Sequence, residues 1–95
     1  MFNPQARWDR NLPTEKTDYL YENIEVMASF SHGKIIPQYF QWRSHEYKIN
    51  KINYTWQEKK GQEVIYYFSV NAGDDLYQIS FYNKSCIWKM DKIID

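Results

Sequence analysis

The 95 residues of the chain suffice for one small domain, because a chain of this length leaves roughly a third of its extended surface exposed after folding. Twelve basic and twelve acidic residues cancel, which argues against a strongly basic polyanion binder and against an acidic tail. Ten Ile, nine Tyr, five Phe and four Trp stand against three Leu and three Ala. β-Branched and aromatic residues favour strands, so the composition predicts an all-β domain.

The cellular compartment is predicted from what the sequence lacks. No apolar run approaches the 18 residues of a membrane span, and the N-terminus has no signal-peptide pattern. Cys86 is the single cysteine and therefore has no partner for an internal disulfide. We expect a cytoplasmic protein with no membrane partner.

The N-terminal residues 1–23 differ from the rest of the chain. They contain two of the three prolines and show no alternation of apolar and polar residues. We interpret them as an arm, with a possible short helix at 14–22 that Thr14 caps and that Glu15 stabilises in its first turn. A single β domain is then expected over residues 24–95.

The first predicted strand begins at Ile24. Its alternate residues are apolar and the intervening ones are largely polar, which indicates a half-buried strand. A turn follows at "SHGK", where Gly33 is able to take a positive φ. The residues predicted to face the core are Ile24, Val26, Ala28 and Phe30.

The second predicted strand runs from Ile35 to Arg43. Ile36, Phe40 and Trp42 share one parity and are predicted to face the core. Pro37 has no N–H to donate to a neighbouring strand, so the strand should lie at an edge or carry a bulge there. Ser44-His45 is the predicted tight turn that follows.

The third predicted strand changes parity midway. Tyr47 and Ile49 share one face, whereas Ile52, Tyr54 and Trp56 fall on the other. A β-bulge near Asn50-Lys51 restores one apolar face and bends the strand. Such bends help small sheets to curl into barrels.

Three further strands complete the predicted fold. "EVIYYFSV" is apolar on both faces, which predicts a central strand, and "LYQISFY" alternates again. The turns between them are "EKKGQE", "NAGDD" and "NKS", and the last strand carries Cys86, Trp88 and Met90. Six strands joined by five turns predict an antiparallel meander that forms a curled sheet or an SH3-like small barrel.

No residue pattern predicts a catalytic, cofactor or metal site. His32 and His45 lie in predicted turns without further ligands at zinc spacing. Cys86 shares the parity of core residues and is predicted to be buried, and Asp74-Asp75 are explained by turn chemistry. We therefore expect a non-enzymatic protein without cofactors, the alternative being a small enzyme with Cys86 or Asp74 in a cleft.

An outward-facing surface remains as the functional candidate. Residues 34–60 carry a local charge of +4, while the flanking segments come to −2 each. We expect a binding module for a protein partner, or for a second copy in a homodimer through edge strands or the arm. The alternative is a single-stranded nucleic-acid module, in which bases stack on tyrosines and phosphates pair with cations. The candidate residues are Tyr39, Gln41, Arg43, Lys48, Tyr67 and Tyr82.

The second and third predicted strands also carry a motif of the form F-x-W-x(4)-Y-x-[IV]. Together with the earlier "IEV" and the Gly turn, it resembles a family of small bacterial proteins classed as a domain of unknown function. "YYFSV", "LYQISF" and "WKM" are similar to that family's terminal strands, so the resemblance covers about residues 24–90. Ser44-His45 departs from the family, which more often has Gly followed by a basic residue. The resemblance implies no known activity. The motif residues are Phe40, Trp42, Tyr47 and Ile49.

Overall fold

Six antiparallel strands form a closed barrel in the computed structural model, which describes residues 19–94. Each strand pairs with the next one along the chain, and the last pairs with the first. The prediction of a six-stranded all-β domain is therefore confirmed, and the barrel is closed. The strands are β1 (Glu22–Ser31), β2 (Lys34–Trp42), β3 (His45–Lys60), β4 (Glu63–Ala72), β5 (Asp75–Tyr82) and β6 (Ile87–Ile94).

The predicted arm overlaps the described part of the chain only at its end. Residues 19–21 have no regular secondary structure, and β1 begins at Glu22, so the predicted helix does not include residues 19–22. The rest of that helix and of the arm lies outside the described residues. No helix long and apolar enough to cross a membrane occurs within residues 19–94.

The core fills the barrel with the side chains that alternate inward along each strand. β4 and β5 contribute most of it, because each of these two strands is paired on both sides over nearly its whole length. Each such side chain contributes about 1.5–3 kcal/mol of transfer free energy when fully buried. The most deeply buried apolar members are Phe40, Val70, Ile79 and Met90.

Four of the five connections are two-residue turns, which suit the twist of antiparallel hairpins. In two of them both central residues have positive φ: His32 and Gly33 at 52° and 75°, and Arg43 and Ser44 at 53° and 66°. The second of these turns lies one residue earlier than predicted, because His45 already pairs with Trp42. Ser44 thus adopts a backbone conformation that glycine adopts more readily.

A β-bulge at Gln38 corrects the predicted faces of β2. Met27 pairs with Tyr39 but Ala28 pairs with Pro37, so Gln38 is the extra residue. The prediction that Pro37 marks a bulge or an edge is confirmed. The prediction that Ile36 faces the core with Phe40 is wrong, because the extra residue inverts the parity between them and leaves Ile36 41% exposed.

Two bulges, one more than predicted, shape β3. The register of β3 against β4 shifts between Ile49 and Lys51 and again between Ile52 and Tyr54, so that Asn50 and Asn53 are the extra residues. The first bulge is the predicted one. The second inverts the parity again, so the sequence pattern wrongly grouped Tyr54 and Trp56 with Ile52: Tyr54 is 71% exposed.

The connection between β5 and β6 corrects the predicted burial of Cys86. Residues 83–86 form a four-residue turn, and β6 begins only at Ile87. Cys86 lies at the end of this turn with φ of 57° and is exposed to solvent. Its shared parity with Trp88 therefore does not predict burial, because side chains alternate between faces only within a strand and Cys86 lies in a turn.

Candidate binding groove

The closed barrel has an unpaired stretch in its wall, between the tips of the β1–β2 and β3–β4 hairpins. β2 and β3 pair only over four residue pairs, from Trp42 opposite His45 to Tyr39 opposite Lys48. Beyond that point β2 remains paired only with β1, and β3 remains paired only with β4, as far as Lys60. The two hairpins therefore diverge and leave a cleft of about 920 Å³, here called the β2–β3 groove. A smaller cleft of about 470 Å³ continues it toward the last paired residues.

The walls of the β2–β3 groove are apolar and partly exposed. Phe30 and Ile36 lie on the β1–β2 side, and Trp56 lies on the β3–β4 side. Phe30 is 59% exposed, and Ile36 and Trp56 are each 41% exposed. A small domain gains stability by burying such side chains, and contiguous exposed ones mark interaction surfaces.

Both strands that border the groove have backbone groups directed into it. The residues that flank a two-residue turn form a hydrogen-bonded pair, and successive residues then alternate in direction. Counted from Lys60, the groups of Thr55, Gln57 and Lys59 point away from β4 and toward the groove. Among the described residues, no strand pairs with this edge. On the β2 side the same alternation directs Ile35 and Pro37 toward the groove.

The charge along the groove has one sign. Lys34 lines the main cleft, and Lys48 and Lys51 line its continuation. All three are exposed. Of the described residues, no aspartate or glutamate lines either cleft. These three lysines, which contribute to the local charge of +4 over residues 34–60, therefore lie beside an apolar cleft.

Four of the six predicted surface residues lie on the β2–β3 hairpin. Tyr39 and Lys48 are direct cross-strand partners, and Gln41 pairs with Glu46 on the same outer face. Tyr39 and Lys48 also border the smaller cleft. Arg43 lies in the turn and is engaged by a carboxylate, so its guanidinium is already partly satisfied.

The other two predicted surface residues lie elsewhere on the barrel. Tyr67 on β4 pairs with Ser80, and Tyr82 on β5 lies one diagonal step away. Along β3, Trp56 is opposite Tyr67 and lies eight residues from Lys48, which is roughly 25 Å of strand. The six residues thus form two separate groups.

A polar clamp holds the paired end of β2 and β3. Glu22 accepts hydrogen bonds from Trp42 Nε1 at 2.8 Å and from Arg43 Nη2 at 2.6 Å. The Arg43 guanidinium also stacks 4.6 Å from the centre of the Trp42 ring. Hydrogen bonds from Arg43 and Trp42 hold the pKa of Glu22 below its usual range. The clamp ties the start of β1 to the β2–β3 turn, which has two strained φ values.

Asp91 is a fully buried carboxylate on the opposite side of the barrel. Its two oxygens accept hydrogen bonds from Gln78 Nε2 at 2.9 Å and from Ser80 Oγ at 2.8 Å. Desolvation raises its pKa, although these two donors act in the opposite direction. Asp91 is the extra residue where the β5–β6 register shifts, so its contacts stabilise a bulge. Sequence analysis placed it after the last strand and missed this role.

The residues weighed as catalytic or metal ligands do not come together. Within residues 19–94 no group of three or more His, Cys, Asp or Glu side chains is arranged to hold a metal ion. His32 contacts the Ser31 hydroxyl and His45 contacts the Arg43 carbonyl oxygen. Cys86 lies in the β5–β6 turn, whereas His32 lies in the β1–β2 turn and His45 is the first residue of β3.

The groove itself was not predicted from the sequence. It depends on where β2 stops pairing with β3. The only sequence features near that point were Pro37 and the parity change in β3, and they predicted bulges but not a groove. Comparison of the chain with protein-family models, with curated protein sequences and with solved structures gives no significant match. The resemblance carried by Phe40, Trp42 and Tyr47 stays a prediction.

Proposed function

We propose that the protein is a non-enzymatic binding module that takes up a segment of a protein partner in the β2–β3 groove. The observation that carries this proposal is the exposure of Phe30, Ile36 and Trp56 between two strand edges with which no strand of residues 19–94 pairs. Proteins usually cover or charge such edges because they pair readily with other chains. An open apolar groove of this kind supports a role in recognition.

A single-stranded nucleic acid is the second candidate for the same surface. It is favoured by the stack of Trp56 on Tyr67, with ring centres 5.2 Å apart, beside the groove lysines. It leaves the isoleucine side chains and the strand edges without a role, because bases stack on rings and phosphates need cations. Binding to a labelled ten-nucleotide oligothymidine that weakens steeply with salt would favour it. No binding even at low salt would remove it.

Selection from a displayed library of random peptides tests the proposed function. We expect the wild-type protein to enrich peptides that bind it, and Ile36→Glu to weaken that binding at least about tenfold because a charge replaces an apolar contact. Met27→Glu is the matched control, since Met27 is also an exposed apolar residue of this hairpin but lies outside both groove clefts.

The two variants must retain the far-ultraviolet circular dichroism of the wild type for the comparison to count. Peptides that bind wild type, Ile36→Glu and Met27→Glu equally would contradict the groove as the binding site. A second copy of the chain is a further possible partner. Sedimentation velocity distinguishes it, because a dimer abolished by Ile36→Glu but not by Met27→Glu would place that copy in the groove.

A further inference from the structure

We infer that the partner segment is an extended strand with alternating apolar and acidic residues, which pairs with the unpaired edge of β3. This inference rests on the proposed function and specifies the chemistry of its partner. It follows from the directions of three sets of groups around the β2–β3 groove: the backbone groups of β3, the inward apolar side chains and the outer lysines.

The backbone of β3 offers the first set. Thr55, Gln57 and Lys59 each direct an N–H and a C=O into the groove, which is the pattern that an added antiparallel strand satisfies. The edge spans five residues, or roughly 13 Å. The facing part of β2 is poorer, because Pro37 has no N–H and Ile35 is the only other residue that points this way. The geometry therefore favours pairing with β3.

The inward side chains give the second set. A strand added to β3 directs every other side chain toward the barrel interior. There it meets Ile35 from the β1–β2 hairpin, and Ile52, Tyr66 and Phe68 from the β3–β4 hairpin. These neighbours are apolar, so the inward residues of the partner are expected to be apolar.

The outer lysines give the third set. The intervening side chains of an added strand point outward, on the face where Lys34 and Lys51 flank the opening. Lys48 lies on the same outer face at the end where β2 and β3 join. In the described part of the chain no carboxylate lines either cleft, and Glu58, which lies on the outer face of the β3 edge, accepts a hydrogen bond from the Tyr67 hydroxyl at 3.0 Å. Acidic partner side chains are therefore expected opposite the lysines and not beside Glu58.

Fluorescence anisotropy with a labelled ten-residue peptide, in which valine alternates with glutamate, tests the inference. We expect saturable binding that weakens with salt. The same peptide with lysine in place of glutamate, and a peptide with five valines followed by five glutamates, should each bind at least about tenfold more weakly. Equal binding of all three peptides, or none up to millimolar concentration, would overturn the inference.

The variant Gln57→Pro tests the backbone contact specifically. Proline removes an N–H that points into the groove and none that pairs with β4, so the β3–β4 ladder is retained. We expect about a tenfold loss of peptide affinity relative to Gln57→Ala, which keeps the N–H. If Gln57→Pro fails to fold, N-methylation of alternate residues of the peptide tests the same backbone hydrogen bonds, because it removes N–H groups of the peptide. We expect a similar loss of affinity for the wild-type protein.

The two proposals fail in different ways. Suppose that the displayed peptides require Ile36 but bind the Gln57→Pro and Gln57→Ala variants with equal affinity. That result would overturn strand addition and leave the proposed function standing. Binding unaffected by Ile36→Glu would overturn both. The charge inference has its own control in Lys84→Glu, since Lys84 lies in the β5–β6 turn, outside both clefts, where it donates a hydrogen bond to Gln62. Lys51→Glu should weaken binding of the peptide that contains glutamate, and Lys84→Glu should leave that binding unchanged.

Discussion

The two ends of the β2–β3 pairing use the same kinds of residue in opposite ways. At the paired end, Phe40 is 1% exposed, stacks on Tyr47 at 4.8 Å and meets Tyr77 edge-on at 5.3 Å. At the open end, Phe30 and Trp56 remain partly exposed. Aromatic side chains thus hold the barrel closed at one end and form the walls of a groove at the other. Apolar composition alone does not tell which of these two roles a residue has.

Truncation of one phenylalanine at each end should give the largest difference. Phe40→Ala is expected to lower the free energy of unfolding by about 3–5 kcal/mol, because it removes a fully buried ring and leaves a cavity. Phe30→Ala should cost about 1 kcal/mol or less, because its ring is 59% exposed, although it meets Phe81 edge-on at 5.8 Å. Urea denaturation of both variants measures this, and equal losses would mean that the open end is part of the core.

The two positive-φ turns offer a smaller contrast of opposite sign. Gly33→Ala at the open end should destabilise by about 1 kcal/mol through backbone strain alone, since no atom lies within 4 Å of the added Cβ. Ser44→Gly at the paired end should stabilise by about 0.5–1 kcal/mol, because relief of strain exceeds the entropy cost of glycine. Thermal unfolding of the pair checks both signs. A destabilised Ser44→Gly would show that the turn is not strained.

The clamp at the paired end should have the smallest effect at neutral pH, because exposed ion pairs contribute little to stability. Glu22→Gln is expected to be less stable than the wild type, since it loses the charge that Arg43 and Trp42 recognise. The folded state lowers the pKa of Glu22, so this contribution is present above the unfolded pKa of about 4.3. It is lost as pH falls through the lower folded pKa.

Measurement of unfolding from pH 7 to pH 3 checks this sign. The gap between wild type and Glu22→Gln should narrow in the acid range. A gap that stays constant, or that widens on acidification, would contradict the assignment of the clamp to an ionised Glu22.

Alternation of apolar and polar residues predicted six strands, their order and most of the core correctly. Tyr77, Ile79 and Phe81 alternate with polar residues and lie inside the barrel as expected. The bulge near Asn50 was also predictable, because an uninterrupted strand would have exposed one of two apolar sets. Errors occurred where an extra residue inverts the parity, as Gln38 does for Ile36 and Asn53 does for Trp56.

The sequence by itself thus determined an all-β meander, because side-chain direction in a strand depends only on the residue's place in a period of two. The tertiary structure alone decided where β2 leaves β3 and which aromatic residues stay exposed as a result. Those outcomes depend on bulges and on pairing length, which are set by contacts between strands distant in the sequence. The β2–β3 groove is their product: it exists because β3 continues with β4 for twelve residues beyond Lys48, after its pairing with β2 has ended.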